Sequence, residues 1–164
     1  MLTNPFLHWT EKFYNFIIKI GSNLQSLFLL YMRLTWGHQF FITGLGKLGA
    51  IDKVTQFFTT LQIPHPHFHA YLVGSIEAIC GFLLFFGFAS RLAAIPLIFI
   101  MFTALGTAHA HNLTNFLFIT NPLTLVRQEP YPFLITALLV FIFGPGRISV
   151  DAWIKRWLHR QPRY

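Results

Sequence analysis

The chain is short of charge. Only 10% of its 164 residues are Asp, Glu, Lys or Arg, where a soluble domain carries about 25%, so much of the folded surface is not expected to face water. Cysteine is nearly absent. The lone Cys80 excludes an intramolecular disulfide and any Cys-x-x-Cys redox or zinc motif. No glycine-rich nucleotide or flavin fingerprint occurs, and no paired histidines inside the apolar runs have a spacing suited to haem ligation. A self-sufficient redox enzyme is therefore a poor fit; electrons would have to come from a partner. The net charge of +7 raises the question of nucleic acid. The basic residues form no single stripe on a soluble face, however, so no nucleic-acid partner is expected. They flank apolar runs, which suits contact with the anionic headgroups of a lipid bilayer.

What the chain does have is apolar length. Hydrophobic residues make up 54%, with 20 Phe and a mean hydropathy of +0.55, in a chain long enough for one domain. Crossing the hydrocarbon core takes about 20 mostly apolar residues in a helix. Four runs answer to that: Leu24 to Gly44, Phe68 to Phe88, Arg91 to Ala110 and a shorter one from Tyr131 to Phe143. Lipid cannot satisfy an open strand edge, so the expected fold is all-α, an integral membrane four-helix bundle. Pro64 and Pro66 precede the second run, Ser90 is placed to cap the third, Pro132 suits a first helical turn, and Gly144-Pro145-Gly146 ends the fourth. A signal peptide is not expected, because the first apolar run starts late, holds Arg33 and lacks a small-residue cleavage site.

Eight Lys and Arg flank one side of these runs: Lys12, Lys19, Arg91, Arg147, Lys155, Arg156, Arg160 and Arg163. Lys47, Lys53 and Arg127 flank the other. The bias places both termini in the cytoplasm. Phe6, Trp9, Phe13, Phe16, Ile17 and Ile20 share a helical face opposite Glu11, Lys12, Asn15 and Lys19, a pattern that lies in the headgroup plane. Trp153 and Trp157 among Lys155, Arg156 and Arg160 point the same way. The expected organisation is an interfacial helix over residues 1–22, a four-span domain over 24–147 and a basic interfacial tail over 148–164.

Charges inside the spans are the most informative feature. Counted from Leu24, Arg33 lies about 14 Å deep, and counted from Gly87, Glu77 lies about 15 Å deep from the same side. The two are expected to pair, each relieving a cost of about 2.5–3.5 kcal/mol for a lone charge at mid-bilayer. Gly37 and Gly44 near Arg33, and Gly74, Cys80 and Gly81 near Glu77, are small enough to allow close helix packing. The pair reads either as a register device or as part of a proton-relay or ligand pocket. His38, with Trp36 and Tyr31 nearby, is a candidate to line that pocket and move protons near neutral pH. On the outer side, His65, His67 and His69 alternate around Pro66, which favours an extended His65. His109 and His111 end the third run on the same side. Together these five are candidate ligands for copper or zinc, against the plainer reading of interfacial histidines in a proline turn.

Three groups of residues taken in order carry a family resemblance: Arg33 with Gly37, Gly44 and Lys47; Glu77 with Gly81, Gly87 and Arg91; and Gly144-Pro145-Gly146-Arg147-Ile148-Ser149-Val150-Asp151. The chain resembles the DoxX family of small membrane proteins from about Leu30 to Asp151. The resemblance implies a four-helix protein of the bacterial inner membrane, with Arg33, Lys47, Glu77 and Asp151 as family-pattern positions. Many relatives carry a Lys-Asn pair entering the last helix, where this chain has Glu129-Pro130, and residues 112–128 look particular to this branch, as an outer re-entrant or interfacial element. The family is associated with quinone-linked sulfur oxidation, and other members with oxidative-stress or metal-handling partners. The leading reading is a membrane subunit of a redox or quinone-linked assembly, with Arg33, His38 and Glu77 in a polar pocket and other membrane or periplasmic proteins as partners. A scaffold for periplasmic copper or zinc handling is the alternative. A small transporter comes third, since four spans without an inverted repeat would need a homodimer to frame a path.

Overall fold

A computed structural model describes residues 5–108 and 126–158, and these residues are helical with no strand among them. The first helix, α1 (Pro5–Met32), runs 28 residues, about 42 Å. It passes through a five-residue π-helical turn (Arg33–Gly37) directly into α2 (His38–Gly49). No break marks the boundary expected near residues 22–24. Gly21, Ser22 and Asn23 lie inside the helix, and Ser22 Oγ donates back to the Ile18 carbonyl at 2.8 Å. Every described side chain from Trp9 to Gln25 is exposed; burial starts at Ser26 and Leu29.

The chain kinks at Ala50 (φ −125°, ψ 41°) into the amphipathic α3 (Ile51–Thr60), which packs on the next helix. Then come α4 (Pro66–Phe86) and α5 (Ser90–Ala108), each long and apolar enough to cross a membrane, and the shorter apolar α6 (Pro130–Phe143). A last amphipathic helix, α7 (Val150–Leu158), leaves Trp153 and Trp157 exposed. These bounds agree within about two residues with the three later apolar runs.

Helices α2 and α4 touch backbone to backbone. A Cβ on Gly37 would meet the Phe85 backbone nitrogen at 2.8 Å, one on Gly44 would collide with Ala78, and one on Gly81 would meet the Phe41 nitrogen at 2.5 Å. Gly37 and Gly44 on one helix, and Gly74 and Gly81 on the other, are spaced seven apart, so each pair returns to the same face after two turns. The core fills the space beside this seam, with Phe40 and Leu84 packed among Leu97, Met101, Leu105, Leu134 and Val140 of α5 and α6. Phe40 and Trp36 both meet the ring of Phe133 edge-on, at 4.7 and 4.9 Å. The outward faces are also apolar: Leu92 is 70% exposed and Phe99 73%, with Phe68, Ile79, Phe102 and Ile142 similarly bare.

Candidate functional site

The glycine seam decides which charges meet. Because Gly44 lies on Ala78 and Gly74, the next turn of α2 brings Lys47 over Glu77, close to the middle of α4. Lys47 Nζ donates to Glu77 Oε1 at 2.5 Å and to Oε2 at 2.7 Å. Glu77 is 1% exposed and Lys47 32%, so the carboxylate is enclosed while the ammonium keeps one flank open. A buried charge of this kind is tolerated when its partner is close and its lone pairs are occupied.

The expected Arg33–Glu77 pair is not formed. The same seam sets Arg33 level with Gly87, at the end of α4, ten residues and about 15 Å along the helix from Glu77. The depth count placed the start of the first span at Leu24, whereas α1 and α2 form one long rod whose register is fixed by Gly37 and Gly44 against α4. Lys47, present in the sequence as a family-pattern position, takes the role given to Arg33.

Arg33 instead belongs to a second cluster. It is 1% exposed. Its Nη2 donates to the Ile148 carbonyl at 2.5 Å, while Nε and Nη1 find no acceptor among the described residues. Gly87 makes room for it: in a left-handed conformation (φ 73°), it lies so close to Nη1 that any side chain there would collide. Asp151 stands near enough to act on the guanidinium electrostatically. Its carboxylate accepts the Ala89 N–H at 2.7 Å, the Ser90 N–H at 3.0 Å and the Ser90 hydroxyl at 3.1 Å. Its own N–H donates to the Gly87 carbonyl at 3.0 Å. The cap of α5 is therefore not Ser90 but a carboxylate from 61 residues away, reaching the orphan N–H groups of a helix start.

The remaining candidates lie elsewhere. His38 is exposed on α2, beside Phe85 at 6.3 Å between ring centroids. Arg33 and Glu77 thus stand about 15 Å apart along α4, and His38 lies on an exposed flank of α2. His65 is left-handed (φ 47°, ψ 57°) at the start of α4, not extended. Pro66 begins the helix, and the residue before it turns the chain into the first turn. His67 packs on the Tyr71 ring, and His69 Nδ1 lies 3.2 Å from the His65 carbonyl. Among the described residues no three His, Cys, Asp or Glu side chains gather around one point. His109, His111 and most of residues 112–128 lie outside the described residues.

With this geometry in hand, comparison with known proteins gives two matches. The profile of the DoxX family fits residues 28–110, a stretch that includes Arg33, Lys47 and Glu77 and stops short of Asp151. A protein of Bacillus subtilis (strain 168) named "Putative oxidoreductase CatD" is 38% identical over 66 residues, 40% of this chain and 48% of that relative. The match thus spans about half the length of the relative. No solved structure matches.

Proposed function

The chain belongs to the DoxX family, whose members are membrane proteins, and on that premise we propose that it is a membrane subunit of a redox assembly, with the Lys47–Glu77 pair as its intramembrane proton-exchange site. The observation that carries the reading is a carboxylate 1% exposed in the middle of an apolar helix, with both oxygens on a lysine that is a third open. Intramembrane ionisable groups are costly and characteristically mark proton or substrate pathways. Glu77 takes up one proton as the partner's redox group gains an electron and releases it on reoxidation; Lys47 holds the carboxylate in between. The electrons come from that partner, with a quinone as the acceptor or donor class. The relative's printed name, an oxidoreductase, agrees with this class.

In this reading α4, α5 and α6 cross the bacterial inner membrane together with the α1–α2 rod as a four-helix bundle. The bare apolar flanks of α4 and α5 support it, since soluble monomers seldom expose contiguous apolar patches beyond a few hundred Å². The ends of α2, α4, α5 and α6 also sort the cations: Arg91, Arg147 and Lys155 gather at the Arg33 end. That end is cytoplasmic by the positive-inside rule. A reporter fused after Tyr164 reads cytoplasmic if so; a periplasmic signal reverses the assignment.

The redox reading is tested in membranes from cells making the full chain, by quinone-dependent electron transfer with Glu77→Gln and Lys47→Gln beside the wild type. Turnover is expected to fall about a hundredfold in Glu77→Gln, the usual scale of a lost proton-transfer group, while the purified variant keeps its helix content. Unchanged turnover in a folded variant would reduce the pair to a register device.

A further inference from the structure

Between the C-terminal part of α1, the start of α5 and the Gly144–Gly146 turn lies an open groove of about 580 Å³. Ser22, Gln25 and Ser26 form one wall, and Arg91, Arg147 and Lys155 converge from the others. These cations have little to neutralise them. Lys155 has no polar partner among the described residues. Arg91 has one long contact, Nη2 to the Ile142 carbonyl at 3.4 Å. Arg147 Nη1 donates to a neutral oxygen, Asn23 Oδ1, at 3.0 Å. The one carboxylate lining the groove, Asp151, is already occupied by Ala89 and Ser90. Leu92 and Phe143 also line the groove and are exposed apolar surface. Three under-neutralised cations beside hydroxyl and amide groups match a phosphate, and the flanking apolar surface matches acyl chains attached to it.

We propose that this groove binds the phosphate headgroup of an anionic phospholipid, with Arg91, Arg147 and Lys155 as its ligands and the acyl chains lying along Leu92 and Phe143. The site rests on the membrane reading above, because it needs the groove at headgroup level. It is independent of the redox role of Lys47 and Glu77, which sit at the other end of the α2–α4 contact.

The test uses the full chain purified in neutral detergent and mixed with phosphatidylglycerol, phosphatidylcholine or inorganic phosphate. Bound lipid is counted by native mass spectrometry and stabilisation read as the shift in Tm. Phosphatidylglycerol is expected to bind and to raise Tm, phosphatidylcholine and inorganic phosphate to do neither. In the triple variant Arg91→Gln/Arg147→Gln/Lys155→Gln affinity is expected to fall about fivefold per cation removed. A control triple variant, Lys12→Gln/Lys19→Gln/Lys53→Gln, removes equal charge elsewhere and is expected to keep the affinity. Circular dichroism checks that both variants are folded. Equal loss in both variants would replace the groove with diffuse charge attraction, and equal stabilisation by inorganic phosphate would make it a site for a free anion; either overturns the proposal. A chain that stays soluble and helical without detergent would instead sink the membrane reading, a separate outcome.

Discussion

At one end of the α2–α4 contact a single enclosed carboxylate has a single cation, Lys47 on Glu77. At the other end the charges are shared: Asp151 holds three donors on the α4–α5 turn and faces a guanidinium that reaches Ile148. The two ends therefore differ in what a lost partner leaves behind. Remove Lys47 and the Glu77 oxygens have no other partner among the described residues; remove Arg33 and Asp151 still has Ala89 and Ser90. A pair poised on one contact suits exchange of a proton, and a shared network suits holding helix ends together.

The sharpest way to break this contrast is Lys47→Met, which strands the Glu77 carboxylate. Unfolding in detergent is expected to show a loss of about 3–5 kcal/mol, with the double variant Lys47→Met/Glu77→Leu regaining most of it. Arg33→Met is expected to cost less, about 1.5–3 kcal/mol, because it removes one charge-assisted hydrogen bond while also deleting two unpaired donors. A cost greater than that of Lys47→Met would show that the charges around Asp151 are not shared. Gly44→Ala tests the seam that assigns the partners: its methyl group collides with Ala78, and separating the helices is expected to cost about 1–3 kcal/mol, with loosened Lys47–Glu77 coupling in a double-mutant cycle. Asp151→Ala is expected to cost about 1–2 kcal/mol, the scale of a lost helix cap. Smallest of all, His38→Ala is expected to leave the thermal transition unmoved, since the ring is exposed.

The helices were largely legible in sequence, because apolar length and Gly and Pro boundaries are local signals. They placed α4, α5 and α6 within about two residues. The partners of the buried charges were not legible, although every participant had been singled out. Depth counted from a span's end carries the error of that end, and the helix runs through Leu24 without a break. The glycines held the missing information: seven-residue spacing on both helices aligns Gly37 with Gly81 and Gly44 with Gly74, and that alignment alone sets Lys47 over Glu77. Asp151 as a cap for a turn some sixty residues earlier leaves no local trace. Capping motifs are read within one helix start, and this one reaches across from another element. The left-handed His65 was missed for a similar reason, because the preference of a residue before proline for extended backbone yields where the chain must turn sharply into a helix.

The widened turn at Arg33–Gly37 joins the glycine seam to a rod whose side chains from Trp9 to Gln25 are exposed. Taking one residue out of it would swing everything upstream by about 100° around the rod axis. The aromatic strip from Trp9 to Ile20 would then point in another direction while Gly37, Gly44 and the seam stayed where they are. That turn is thus a swivel whose use has a cost: re-aiming the N-terminal arm there would also lift Leu29 and Arg33 out of their buried seats and part Asn23 from Arg147.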